Sequence, residues 1–272
     1  MAASARPPET AIGRLGRWAL SLVAVAGFIY LFIPIAVIVA YSFNKPRGKF
    51  NIIWQQFTLD NWKEPFAPGP LTDAMFLSLR IAAIAAVAAT ILGGLIALAL
   101  VRYRFRGGAL INLLLVLPIT TPEIVLGSSL ATLFIDSGVQ RGFTTIVIAH
   151  VLFCTSFVAL TVKARIRGFD WSLEDAAMDL GATPWRTFSR VTLPLITPGI
   201  LAAALLSFAL SIDDFIITFF NSGSEETFPL RIFGASRVEI SPQINVLATV
   251  VLAGSIGVML AGVVLRRRLD EA

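Results

Sequence analysis

IAAIAAVAATILGGLIALALV, residues 81–101, runs for 21 positions without one ionisable side chain. At 1.5 Å per residue, a helix of that length crosses the hydrocarbon core of a bilayer, about 30 Å thick. The apolar stretch begins at Ala74, and five others of spanning length lie at 18–43, 109–135, 142–162, 195–220 and 243–265. Composition points the same way: 56% of the 272 residues are hydrophobic and 14% charged, whereas soluble domains carry about a quarter charged residues. The expected fold is an all-α polytopic membrane protein with six transmembrane helices. It forms a single membrane domain over 18–272, preceded by a tail at 1–17.

Helices in lipid associate through close backbone approach, because lipid removes the usual hydrophobic drive between them. The second span has Ala85, Ala89, Gly93 and Ala97 at four-residue spacing, with Ala82, Ala86, Thr90 and Gly94 beside them. Ala253, Gly257 and Ala261 repeat the pattern in the last span. Both stripes predict tight packing inside the bundle.

Six spans put both termini on one side. Lys and Arg collect on the cytoplasmic face, and with the N-terminus inside that face holds 14 of the 22 cations. They are Arg6, Arg14, Arg17, Arg102, Arg104, Arg106, Lys163, Arg165, Arg167, Arg186, Arg190 and Arg266 to Arg268. Both termini are therefore expected in the cytoplasm, and the formal charge of +5 reads as topology and contact with anionic lipid, not nucleic acid. Ala24-Val25-Ala26 looks like a signal cleavage site, but the apolar run continues to Ala40, as in an uncleaved anchor. The single cysteine, Cys154, excludes a disulfide framework or thiolate metal cluster within the chain.

No phosphate-binding GxxxxGK[ST] loop, HExxH, GxSxG or CxxC occurs. The chain reads as a non-enzyme with no catalytic residue, metal site or cofactor of its own. Energy for any transport must come from a partner or an ion gradient.

Between the fourth and fifth spans the sequence turns polar, at LEDAAMDLGATPWRTF, residues 173–188. Ser172 is a candidate N-cap, with Asp175 returning a hydrogen bond, and Glu174 and Asp175 fall in the positive first turn of a helix. Ala176 and Ala177 leave that helix open to close approach. Gly181 supplies a left-handed stop, and Thr183-Pro184 a cap and first position for a second helix. Trp185, Phe188 and Val191 recur at three-residue spacing, facing the interface or the bundle, while Arg186 and Arg190 face water. The segment fits either an interfacial loop or a peg for another protein.

Asp175-Ala176-Ala177-Met178-Asp179-Leu180-Gly181, nine residues, then Val191-Thr192-Leu193-Pro194 resembles the EAA loop of binding-protein-dependent ABC importer permeases, EAA-x3-G-x9-I-x-LP. Asp175 stands in place of the family's Glu, and Val191 in place of Ile. The resemblance implies that residues 172–194 form a cytoplasmic coupling loop gripping an ATPase subunit through Glu174 or Asp175, Ala176, Ala177 and Gly181. It further implies an ATPase dimer carrying ATP and Mg, a second homologous permease, a soluble substrate-binding protein, and residence in a bacterial-type inner membrane. Tyr41-Ser42-Phe43-Asn44, Tyr103-Arg104-Phe105-Arg106-Gly107, Leu210-Ser211-Ile212-Asp213-Asp214 and Ser241-Pro242-Gln243-Ile244-Asn245 narrow the likeness to importers of putrescine and spermidine.

Acids at membrane depth face a cavity or a partner. Asp213 and Asp214 fall in the fifth predicted span, with Ser211 one turn before Asp214; Glu123 follows Pro118 and Pro122, where a broken helix is expected. Spaced carboxylates attract ammonium groups without trapping them, so these four are candidate pathway residues. Trp62 is a fifth, offering a ring face to an ammonium, although an interfacial anchor is the commoner role for such a residue. His150 reads as an interhelical hydrogen-bond partner. The competing reading is a gradient-driven transporter of a small organic cation, which requires broken helices in both halves.

Overall fold

The computed structural model describes residues 11–103 and 105–270, with side chains from 18 to 257 apart from 104. Residues 1–10 of the expected tail, Arg104, and the side chains of Arg14, Arg17, Ala261 and Arg266 to Arg268 lie outside the described residues. Helices dominate: α1 (Ala11–Tyr41), α2 (Pro70–Arg102), α3 (Gly108–Thr120), α4 (Glu123–Asp136), α5 (Phe143–Ile166), α6 (Ser172–Asp179), α7 (Pro184–Thr187), α8 (Leu193–Ile212), α9 (Ile216–Asn221), α10 (Phe228–Ala235) and α11 (Pro242–Asp270). Among the described residues there is no strand, only isolated bridges at Asn44–Phe57 and Phe50–Ile240. Helix begins at Ala11, inside the expected tail.

Four helical segments are long and apolar enough to span a membrane: Trp18–Tyr41, Pro70–Arg102, Phe143–Ile166 and Pro184–Ile212. A bent pair makes up to five, and the described apolar part of α11, Pro242–Gly257, is shorter. The expected span at 109–135 is broken where its prolines predict, into two helices, α3 and α4, meeting at 108°. Pro122 is the cause, since it brings no N–H to the helix and drives Thr121 to extended backbone (φ −76°, ψ 132°).

The expected span at 195–220 is also interrupted. Its helix starts earlier, at Pro184, and passes through a π-helical turn at Phe188–Thr192 into α8, which stops at Ile212. Asp213 and Asp214 therefore stand at a break, not side by side on one helix. The Asp214 carboxylate accepts from the N–H groups of Ile217 (3.4 Å) and Thr218 (2.8 Å), occupying donors that a continuous helix would turn to its own carbonyls.

The chain divides into two compact units, one formed by residues up to Ala67 and from Ala235 onward, the other by Pro68–Gly234. In the first, α1 packs along α11, and the segment after α1 is knitted by Asn44. Its Nδ2–H donates to Asn51 Oδ1 (2.6 Å) and Ile53 O (3.0 Å), while its Oδ1 accepts from Gln55 N–H (2.8 Å). The small residues of α11 differ from expectation: Ala253 and Gly257 are exposed within the chain.

The core of the second unit is α2 against α5 and α8. Ala82, Ala85, Ala89 and Ala97 are fully buried on α2, and Ala89 and Ala97 share one apolar cluster with Val158, Val162 and Ile166 of α5 and Ala203 of α8. At Gly93 the backbones come so close that a Cβ would sit 2.8 Å from Thr155 O and from Val158 Cγ1. The first small-residue stripe thus packs inside the chain as expected.

Candidate coupling surface and translocation path

The polar segment forms a helix, a sharp turn and a second helix. Its start differs from the expected capping box. Trp171 occupies the cap position, and the Asp170 carboxylate, not Ser172, accepts the first free N–H, that of Ser172, at 3.0 Å. Hydrogen bonds from Ser172 hold the Asp170 carboxyl below the usual carboxylate range. Lowering that value favours the folded form above the ordinary carboxylate range, an advantage lost as pH falls through the lowered pKa.

Gly181 ends α6 as the sequence predicts. It adopts φ +86°, and Ala182 N–H reaches Ala177 O (3.0 Å) while Gly181 N–H reaches Met178 O (2.9 Å), the paired bonds of a Schellman stop. Thr183 Oγ1 accepts from Arg186 N–H at 3.4 Å, with Pro184 opening α7.

The two candidate carboxylates part company here. Glu174 is buried at 3% exposure and Asp175 is exposed. Around Asp175 and exposed Ala176 lie Leu173, Met178, Leu180 and Trp185, all exposed, with Leu180 at 91% and Trp185 at 74%. Trp185 thus faces outward rather than the bundle, while Phe188 and Val191 are half-buried. Leu173, Met178 and Leu180 escaped the sequence reading, because on a helix of eight residues an apolar side is indistinguishable from one that packs inward.

At the α8–α9 break the acids also separate. Asp213 is exposed; Asp214 is buried and accepts from the Thr218 hydroxyl at 2.7 Å. His150 of α5 closes this cluster, its Nε2 standing 3.2 Å from Asp214 Oδ2 and 2.9 Å from Thr218 Oγ1, its Nδ1 2.7 Å from Ser211 Oγ. Ser211 is buried with them. His150 therefore has the interhelical partners expected of it, and Thr218 is a member the sequence did not single out. Four polar side chains satisfy one another, as burial of such groups requires.

Glu123 is exposed at the first position of α4. Helix α4 is locked to α9: a Cβ on Gly127 would meet Ile217 Cα at 3.1 Å, and Asn221 Nδ2–H donates to Gly127 O at 3.2 Å. The two helix breaks are thereby held together. Trp62 belongs to the first unit. Its Nε1–H donates to Ser42 Oγ at 3.2 Å and its ring stacks on Phe43 with centroids 5.4 Å apart, which makes it an anchor of its own loop.

Residues 89–271 match the family model for the inner membrane component of binding-protein-dependent transport systems. The putrescine transport system permease protein PotI of Escherichia coli K12 is 40% identical over 246 residues, covering 88% of this chain and 86% of that one. The spermidine/putrescine transport system permease protein PotC of the same strain is 38% identical over 257 residues, covering 94% and 96%. Among solved structures, a bacterial ABC transporter involved in import of the acidic polysaccharide alginate aligns with TM-score 0.68 at 15% identity, over 96% of this chain and 99% of that one. The MetNI methionine ABC transporter, inward facing, aligns at 0.60 and 15%, over 73% and 95%. These last two likenesses concern the fold. With two thirds of its length matched by the family model and nearly all of it by permease relatives, the chain belongs to the inner membrane components of binding-protein-dependent transport systems.

Proposed function

We propose that the chain is the permease subunit of an ABC importer for polyamines such as putrescine and spermidine. It would pair with a second, homologous permease, rest on a cytoplasmic ATPase dimer that holds ATP and Mg, and receive substrate from a soluble binding protein. Six spans with both termini in the cytoplasm put the exposed face of α6 on the motor side. ATP binding closes the motor, and its stronger grip on one position of α6 shifts the permease toward the outward-open state; hydrolysis releases it. Only such differential affinity can drive the switch.

The observation that carries the substrate class is the exposure of Asp213 and Glu123 at two interlocked helix breaks. Broken backbone at membrane depth is tolerated where it lines a cavity, and two separated carboxylates suit a flexible chain with an ammonium at each end. Asp214 and Ser211 support this site from behind through His150, and Trp62 contributes by fixing the outer loop. Names of the relatives, putrescine and spermidine permeases, agree with a polycation. Paired helix breaks are also what a gradient-driven carrier would use, but family membership and the exposed coupling helix favour the ATPase-driven reading.

The test is uptake by the complete importer in vesicles. Changing Asp213→Asn together with Glu123→Gln should lower putrescine uptake by about tenfold or more, the equivalent of about 1.4 kcal/mol, while the ATPase stays bound. Unchanged uptake by the assembled variant removes the cation path from this position.

A further inference from the structure

Arg102, the last residue of α2, and Glu174, in the first turn of α6, are joined by two parallel contacts: Nη1–H to Oε1 at 2.9 Å and Nη2 to Oε2 at 2.8 Å. This fork-to-fork geometry is the strong, directional form of an ion pair. The fully buried Thr192 hydroxyl donates to Glu174 Oε1 as well. Arg102 lies over the ring of Trp171, 5.6 Å from its centroid, and Trp171 meets Phe169 edge-on at 4.9 Å, both rings packed on the buried core. Three elements meet at one carboxylate: the end of α2, the start of α6, and the π-helical turn that leads into α8.

Glu174 is buried, so its carboxylate faces the chain and not another protein. Both carboxylate oxygens are engaged, and Asp170, Asp175 and Asp179 nearby are exposed. A π-helical turn carries one residue more than the α-helical repeat and often sits at functional positions; here Thr192, its last residue, bonds the coupling helix directly. An apolar contact at this junction would let α6 slide. The bidentate pair holds it in register, and its loss would leave a charge buried without compensation.

We infer that Glu174, Arg102 and Thr192 form a transmission joint that delivers displacement of α6 to α2 and α8, leaving Asp175 as the carboxylate that meets the ATPase. They are positioning residues for transport and touch neither substrate nor nucleotide. The inference rests on the reading of α6 as the ATPase-docking helix.

The complete importer in vesicles, with its ATPase, second permease and binding protein, gives two readouts: ATPase retained through purification, and putrescine moved per ATP hydrolysed. Glu174→Gln should keep the ATPase bound yet lower putrescine moved per ATP by about tenfold. Arg102→Lys, which keeps the charge but loses the fork, and Thr192→Val, which keeps the shape but loses the hydroxyl, are the milder changes and should lower it by about threefold. An unchanged ratio in Arg102→Lys and Thr192→Val overturns the joint, as does loss of the ATPase in Glu174→Gln, which would make Glu174 a direct contact. Asp175→Arg separates the two claims: if the ATPase remains bound in that variant, the docking reading itself fails, whatever the joint variants do.

Discussion

At the scale of single residues, adjacent acids have opposite fates. Glu174 and Asp175 are neighbours, as are Asp213 and Asp214, and in each pair one carboxylate is buried on a basic or hydroxyl partner while the other stays exposed. The exposed member is free to meet something outside the chain; the buried member sets where it stands. His150 links Ser211, Asp214 and Thr218 across two helices, so removing its ring leaves buried polar groups without partners. His150→Ala should destabilise the purified permease by about 1–3 kcal/mol, read as a fall in the midpoint of thermal unfolding in detergent. A midpoint equal to the parent's would show that the cluster is not holding the α8–α9 break. This was legible in sequence only in part: His150 could be read as an interhelical hydrogen-bond partner and Asp213 and Asp214 as costly acids, but nothing local says which acid finds a histidine more than 60 residues away.

At the scale of elements, the small-residue stripe on α2 was readable because its spacing is the helix's own, and the structure puts it against α5. Position along the stripe matters. A Cβ at Gly93 would collide with α5 backbone, whereas at Gly94 nothing lies within 4 Å. Gly93→Ala should therefore cost about 1–3 kcal/mol through overpacking, and Gly94→Ala should be neutral or slightly stabilising through better helix propensity. The two substitutions are identical in chemistry, so equal melting shifts would contradict the packing. The same stripe logic misled at α11, where Ala253 and Gly257 stay exposed in the isolated chain; spacing declares a face but not what covers it. Helix breaks were half legible. Pro122 announced the first, since its ring bars a continuous helix, while the second depends on Asp214 bonding the N–H groups ahead of it.

At the scale of the whole molecule, one labelling experiment reads the orientation. Cys154 is the only cysteine and is buried, so Ser172→Cys, at an exposed position, creates a single accessible thiol. A membrane-impermeant maleimide should label it in inside-out vesicles and not in intact cells; labelling from outside would reverse the topology. Sequence alone determined that the chain is helical and made for a bilayer, because 56% apolar composition and uncharged runs long enough to cross it leave no other solvent for these helices. It also fixed the turn at Gly181, since a left-handed backbone position selects glycine by local sterics. Only tertiary structure decided which carboxylate faces inward, where α8 ends, and that Arg102 holds Glu174: each depends on a partner distant along the chain, and burial, unlike helix periodicity, is a property of what the rest of the molecule brings to the spot.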